Sequence, residues 1–180
     1  MKTTIFKRNV LTSGLCAMLV WMASTTPGVA DDDLMQAFND YKATWNSHDV
    51  PALVAFYGEN GTYSNPGTGK LSGEALAQWV GGLFTAIPDF KVTVVSADPV
   101  DEDTLAEQWV ITGTWTKPFP GGQLAGKKPS GKSFTVPGAD FQEWKDGRIV
   151  STSAYYDQMA LLTQIGVIPP PDENPQARAE

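Results

Sequence analysis

Cysteine and histidine are nearly missing from this chain, which has one of each in 180 residues. A lone thiol cannot close an intramolecular disulfide, and a lone imidazole cannot build a histidine cage, so the usual zinc and redox centres are excluded. Basic residues are also few, 13 Lys and Arg against 20 Asp and Glu. A surface of that sign repels phosphate backbones, and nucleic acid is not an expected partner. No apolar run reaches the ~20 residues of a membrane span. What is present is one domain's length of chain, 42% of it hydrophobic, enough to build a core.

The first thirty residues stand apart. Lys2, Lys7 and Arg8 precede the apolar stretch Val10 to Ala23, and the small residues of Thr25-Thr26-Pro27-Gly28-Val29-Ala30 lead up to Asp31. This is the pattern of a secretory leader cut before Asp31, so the mature protein is expected to be periplasmic or secreted with no stable membrane anchor. The leader carries Cys16 and three basic residues but no acidic one, which leaves ten basic and twenty acidic residues, a net charge of −10. The mature domain is expected over residues 31–167. Residues 168–180, with three consecutive prolines, read as a disordered tail.

Within the domain, Leu34, Phe38, Tyr41 and Trp45 recur at helical spacing on one face. Asn46-Ser47-His48-Asp49 is a turn with His48 on the surface, and Asp49 can cap a short helix opened by Pro51. Gly58 to Gly61 breaks the chain before the short strand Thr62-Tyr63-Ser64, which Pro66 stops. A third helix opens at Ser72, turns Leu76, Trp79, Val80, Leu83 and Phe84 inward, and closes at Pro88. Gly81-Gly82 weakens it by on the order of 1 kcal/mol per glycine.

After Pro88 the period changes to two. Phe90, Val92 and Val94 mark one strand; Trp109, Ile111 and Trp115 mark a second, across an acidic turn. A third strand from about Ser133 to Trp144 meets a fourth, Arg148 to Tyr156, through the hairpin turn Lys145-Asp146-Gly147. Pro118 to Ser130 is a long loop without periodicity. Helices followed by antiparallel strands predict an α+β fold, a strongly curved sheet wrapped around the N-terminal helices as a cone-shaped barrel with a cavity inside.

The order of these elements, with their motifs, resembles the SnoaL-like polyketide cyclases of the nuclear-transport-factor-two-like superfamily. The motifs are Trp45-Asn46 with Asp49, Phe56-Tyr57, Tyr63-Ser64-Asn65-Pro66, Gly73-Glu74-Ala75, Ile87-Pro88-Asp89-Phe90, Pro129-Ser130-Gly131-Lys132, Asp146-Gly147-Arg148-Ile149, and Asp157 with Gln164-Ile165-Gly166. The resemblance spans Leu34 to Gly166. It implies cofactor-free cyclisation, isomerisation, dehydration or epoxide opening, or ligand binding without turnover, and a homodimer formed through the open sheet face. It also implies roles for individual residues. Asn65 matches a pocket asparagine of the cyclases, Asp140 stands where they carry a pocket histidine, and Ala154 stands where they carry an acid/base aspartate. Against ketosteroid isomerases, Tyr41 matches an oxyanion-hole tyrosine and Asp140, allowing a hairpin one residue shorter, its protonated partner, while their general base falls on Asn65.

Each candidate also has an ordinary reading. Tyr41 is an oxyanion donor or a core phenol with a satisfied hydroxyl. Asp140 is a desolvated carboxyl facing the cavity or a solvated strand-edge residue. Asn65 lines the pocket or starts a turn, and Asp157 is a helix cap before it is a catalyst. Trp45, Trp79, Trp109 and Trp115, with Tyr63 and Tyr156, supply walls or simply core. Gly126 to Ser133 spells a phosphate-binding loop but runs into a strand instead of a helix, so nucleotide binding is rejected. Lys127, Lys128 and Lys132 either draw an anionic ligand to the rim or keep the loop soluble.

The expected protein is therefore an exported pocket domain for a small hydrophobic or polycyclic organic ligand. Tyr41 and Asp140 are the catalytic candidates; Asn65, Trp45, Tyr63, Trp79, Trp109 and Tyr156 are the substrate-binding ones; no metal or cofactor is expected. The alternative is a periplasmic binding or interaction module without turnover.

Overall fold

The computed structural model describes residues 29–170. The expected leader lies outside the described residues except for Val29 and Ala30, which open the first helix, and the expected tail lies outside them from residue 171.

Helix α1 (Val29–Ser47) buries Leu34, Phe38, Tyr41 and Trp45 as the spacing predicts, and with them Lys42. Asp49 caps α2 (Val50–Ala55), its carboxylate accepting from the Ala52 N–H at 3.0 Å. The turn between them departs from the surface expectation. His48 is half-buried, stacked on Phe84 at 4.2 Å, with its Nε2–H donating to the Phe90 carbonyl at 2.8 Å. Beside it the Asn46 amide brackets Val92, donating to its carbonyl and accepting from its N–H at 2.9 Å each. These contacts fasten the end of α1 to the start of β3, and so lay its apolar face across the sheet.

The remaining elements are β1 (Tyr57–Asn65), β2 (Gly69–Ser72), α3 (Gly73–Ala86), β3 (Lys91–Pro99), β4 (Thr104–Thr114), β5 (Ser133–Lys145), β6 (Arg148–Tyr156) and α4 (Gln158–Gln164). The strands form one sheet in the order β2-β1-β6-β5-β4-β3, with β1 parallel to β6 and all other pairs antiparallel. This is the expected α+β cone, but the barrel is not closed, because β2 and β3 are edges. Strand β2 was not expected, being four residues long and too short to show a period. Gly58 to Gly61 does not break the chain either. It is a bulge inside β1, where Tyr57 pairs with Ile149 and Thr62 with Ser151. A Cβ on Gly61 would stand 2.6 Å from the Ile149 carbonyl oxygen.

Three rows of inward positions cross β4, β5 and β6 in register: Trp109–Gly138–Tyr156, Glu107–Asp140–Ala154 and Leu105–Gln142–Thr152. The first row shows why a glycine stands in the middle of β5. A Cβ at Gly138 would lie 2.2 Å from the Trp109 ring, so only glycine lets the indole lie across the strand. Gly82 does a similar service in α3, where a Cβ would meet Pro120 Cγ at 3.0 Å and push away the loop before β5. That loop carries residues 126–132 as turn and coil into β5, with no helix following, which removes the phosphate-loop reading. Asp157 caps α4, accepting from the Ala160 N–H at 2.8 Å. No helix among the described residues is long and apolar enough to cross a membrane.

Candidate active site

Between the inner face of the sheet, α1 and α3 lies a cavity of about 170 Å³. Its aromatic end is built from α1, β1, α3 and the start of β3. Trp45 packs on Tyr63, Phe84 and Phe90 with ring centres 6.0–6.2 Å apart, and Tyr63 stacks on Trp79 at 5.1 Å. The rim is formed by Gly67 and Thr68 after β1, by α4 through Gln158, Leu161 and Leu162, and by the loop residues Phe119 and Gly121 to Leu124. Gln158 and Gln123 join loop to helix by a 2.9 Å hydrogen bond.

Two charged side chains also stand in the wall. Lys42 from α1 and Asp140 from β5 both line the cavity, and Glu107 from β4 lies behind them with no exposed side-chain surface. Lys42 Nζ is 2.6 Å from Glu107 Oε2 and 3.6 Å from Asp140 Oδ2. The Gln142 amide donates to both carboxylates, at 3.2 Å to Glu107 and 3.4 Å to Asp140, while its carbonyl accepts from Trp144 Nε1–H at 3.2 Å. Because an indole can only donate, this last bond fixes which way the amide points. Trp109 Nε1–H donates to Asp140 Oδ1 at 2.7 Å, the reach that Gly138 permits. Two carboxylates facing one ammonium in a dry site cannot both ionise at ordinary pH without cost. Burial, partly offset by Lys42 and reinforced by the charge of Asp140, pushes Glu107 up to about 7.

Asn65 unites the two roles open to it in the sequence. Its Oδ1 accepts from the Gly67 and Thr68 N–H groups at 2.7 and 3.1 Å, which builds the turn after β1, and the residue lines the cavity. With the oxygen so engaged, the amide nitrogen is oriented, and Nδ2 is buried with no hydrogen-bond partner. Tyr63 is held neutral, its phenol pushed well above the usual range by burial and then by the charge of Asp140. Tyr156 is raised by burial as well.

Of the residues singled out in the sequence, Asp140, Asn65, Trp45, Tyr63, Trp79, Trp109 and Tyr156 all line this one cavity. Tyr41 does not. It is fully buried with its hydroxyl 2.9 Å from that of Tyr57, which in turn lies 3.2 Å from Thr152 Oγ1. The oxyanion donation expected of Tyr41 finds no support in its position, because the residue does not line the cavity. Trp115 is also outside the wall, buried against Phe119 with its Nε1–H on the Lys117 carbonyl at 2.8 Å. Lys127, Lys128 and Lys132 are exposed and do not line it. Ala154 is buried directly opposite Asp140. Among the described residues no group of three His, Cys, Asp or Glu side chains is placed to hold a metal ion.

Sequence reasoning missed Lys42, Glu107 and Gln142. Glu107 was within reach of it: it stands in phase with Trp109 and Ile111, so the alternation already put a carboxyl on the inner face. Lys42 gives no such signal, because it sits one residue past Tyr41 at the edge of the apolar stripe.

The model of the SnoaL-like polyketide cyclase family matches residues 35–165 of the chain. No curated protein matches it. Among solved structures, AclR from Streptomyces galilaeus aligns with a TM-score of 0.65 at 19% identity, over 77% of this chain and 99% of its own. A candidate SnoaL-like polyketide cyclase from Jannaschia sp. CCS1 aligns at 0.66 and 19%, over 78% and 96%. A protein of ketosteroid-isomerase-like fold from Catenulispora acidiphila, in complex with trimethylamine, aligns at 0.60 and 22%, over 73% and 92%. At these identities the likeness speaks for the fold.

Proposed function

Since the chain belongs to the SnoaL-like polyketide cyclase family, we propose that its cavity binds a small, largely apolar organic molecule bearing a carbonyl oxygen and performs cofactor-free acid–base chemistry on it, of the cyclisation, isomerisation or dehydration kind. The observation that carries this reading is the pairing of an aromatic cavity with two charged side chains, Lys42 and Asp140, that share its wall. A carbonyl placed there accepts from Lys42 Nζ–H or Asn65 Nδ2–H. Asp140 takes a proton from the adjacent carbon, the electrons of that C–H bond pass to the oxygen, and Asp140 then returns a proton, the same one or one exchanged with solvent, to that carbon or to a different one. At about 170 Å³ the cavity is below the ~300–1,000 Å³ of drug-sized sites, so one or two rings fit it better than a long polycycle.

The test uses 1-tetralone, an enolisable two-ring ketone. It should quench the fluorescence of the wall tryptophans on binding, and the protein should speed exchange of its α-hydrogens in D2O, followed by proton NMR. Asp140→Asn should bind and not exchange. Binding without exchange in the wild type would favour the second reading, a binding module without turnover, which Ala154 supports. No binding of this or any neutral ketone would end both.

The same reading includes export, with the mature chain beginning at Asp31 in the periplasm or outside the cell. Intact mass of the protein from an exporting host decides this. It also includes a homodimer through the outer sheet face, supported by Phe141 and Tyr155, exposed at 53% and 59% and packed on each other at 6.3 Å.

A further inference from the structure

We propose that Trp109, a residue of the cavity wall, is also the positioning residue for Asp140: its indole N–H holds the carboxylate in the orientation from which it meets the ligand. The inference rests on the reading of Asp140 as the group that takes the proton.

The bond runs along a diagonal between two strands. Trp109 on β4 stands opposite Gly138 on β5, and Asp140 lies two residues further on the same face. The ring must pass over Gly138, where a Cβ would stand 2.2 Å from it. A glycine inside a strand weakens that strand, and here it allows a 2.7 Å hydrogen bond from Trp109 Nε1–H to Asp140 Oδ1. The other carboxylate oxygen is met from the opposite direction. Gln142, two residues beyond Asp140, donates to Oδ2 at 3.4 Å, and its amide is fixed in turn by Trp144. Two donors on two oxygens set the plane of the carboxylate, and the shorter bond sets it more firmly.

Lys42 does not hold Asp140 in this way. At 3.6 Å it is beyond hydrogen-bond reach, and it is engaged with Glu107 at 2.6 Å. The other hydrogen-bonded indoles act elsewhere: Trp115 donates to the Lys117 carbonyl and Trp144 to the Gln142 amide oxygen. Among the described residues, Trp109 is the indole that donates to a carboxylate. An indole is a neutral donor, so it holds the anion without cancelling its charge. Trp109 and Asp140 are 6% and 4% exposed, so little water is at hand to replace the bond. Both also line the cavity, which puts the held carboxylate against the ligand. A general base works within hydrogen-bond reach of the proton it takes, and a misplacement of about 1 Å costs on the order of 100-fold in rate.

The experiment replaces Trp109 in the full chain by benzothienylalanine, in which sulfur stands for the N–H and the ring keeps its shape. Trp109→Phe is the second variant, and decides if the first does not fold. Binding of 1-tetralone is read from quenching of the remaining tryptophans, and turnover from exchange of its α-hydrogens in D2O. The dissociation constant should stay within about threefold of the wild type while exchange slows by about 10–100-fold. In 1H–15N spectra of the ligand-free protein, the Trp109 indole N–H, assigned by its loss in Trp109→Phe, should move upfield in Asp140→Asn, where the acceptor is no longer charged. Exchange unchanged in the variants, or an N–H signal that Asp140→Asn leaves in place, would overturn the assignment and leave Trp109 a wall residue. So would loss of binding and exchange together, which marks a change of shape. A wild type that does not exchange 1-tetralone would instead remove the role of Asp140 as base, and this one with it. The two failures are distinct, because the first is seen only against an active wild type.

Discussion

The two halves of β5 follow opposite rules. From Ser133 to Pro137 the strand alternates in the ordinary way, with Phe134 and Val136 buried and Ser133, Thr135 and Pro137 exposed. From Gly138 to Gln142 the pattern inverts: Asp140 and Gln142 point inward and are buried, while Phe141 points outward and is exposed. The first half obeys the hydrophobic effect and is scaffold. The second half works against it, since a buried carboxylate costs several kcal/mol before any partner compensates. A fold that needed only stability would carry apolar residues at 107, 140 and 142. The inversion marks where the molecule gives up stability for a polar site, and the partners of Asp140 show how the loss is contained.

Removing the counter-charge should break the inverted half most severely. Lys42→Met leaves two buried carboxylates facing each other and should cost about 3–5 kcal/mol in urea unfolding at pH 8, with a smaller loss at pH 5, where one carboxyl is protonated. A loss equal at both pH values would mean that the carboxylates do not depend on Lys42.

A second effect is visible in the wild type. Glu107 in the native protein sits at about 7, above its ordinary 4.5. Between these values the folded chain holds a proton that the unfolded chain has released, so stability falls as pH rises, by on the order of 2–3 kcal/mol by pH 8. Other groups add their own slopes, so the informative quantity is the difference from Glu107→Gln, in which this fall should vanish. Urea midpoints at pH 5, 6, 7 and 8 check it; parallel curves for the two proteins would contradict the assignment.

The boundary between the halves is Gly138. Gly138→Ala should displace the Trp109 indole and with it the hydrogen bond to Asp140, at a cost of about 1–3 kcal/mol. The loss should appear in the tryptophan emission as well as in the melting temperature. On the outer face the effect should be smallest. Phe141→Ser should change monomer stability by less than about 0.5 kcal/mol, and it should dissociate the proposed homodimer in light-scattering measurements. A stable monomer in the wild type would remove that part of the account.

Most of the scaffold half was legible in the sequence. The stripe of α1, the caps Asp49 and Asp157, the turn Asp146-Gly147 and the apolar phase of β4 to β6 all state local preferences that the tertiary structure keeps. In β3, by contrast, the phase holds at Val92 and is lost at Val94, which is exposed beside a register shift. What was not legible depended on distant neighbours. β2 exists only because β1 offers it an edge, and Gly58 to Gly61 reads as a break until β6 is seen beside it. His48 looks like a turn residue until Phe84 and Phe90 arrive from far along the chain. The site divides in the same way. Asp140 and Asn65 carry local signals, a carboxyl among inward positions and an amide before proline. Lys42 is buried only because Glu107 and Asp140, more than sixty residues away, make burial tolerable, and no window around position 42 contains that fact. Tyr41 shows the converse: its position on the helix was read correctly, but the destination of its hydroxyl depended on Tyr57.

The claim on which the rest depends is that Lys42, Asp140 and Asn65 form a ligand-facing wall of a real cavity. A crystal structure of the full mature chain with 1-tetralone tests it most directly. The account predicts the ring among Trp45, Tyr63 and Trp79 and the ketone oxygen within hydrogen-bonding distance of Lys42 Nζ or Asn65 Nδ2, with Asp140 beside its α-carbon. A cavity filled by its own side chains, or a ketone bound with its oxygen turned toward the loop at Gly121 and Gly122, would contradict it.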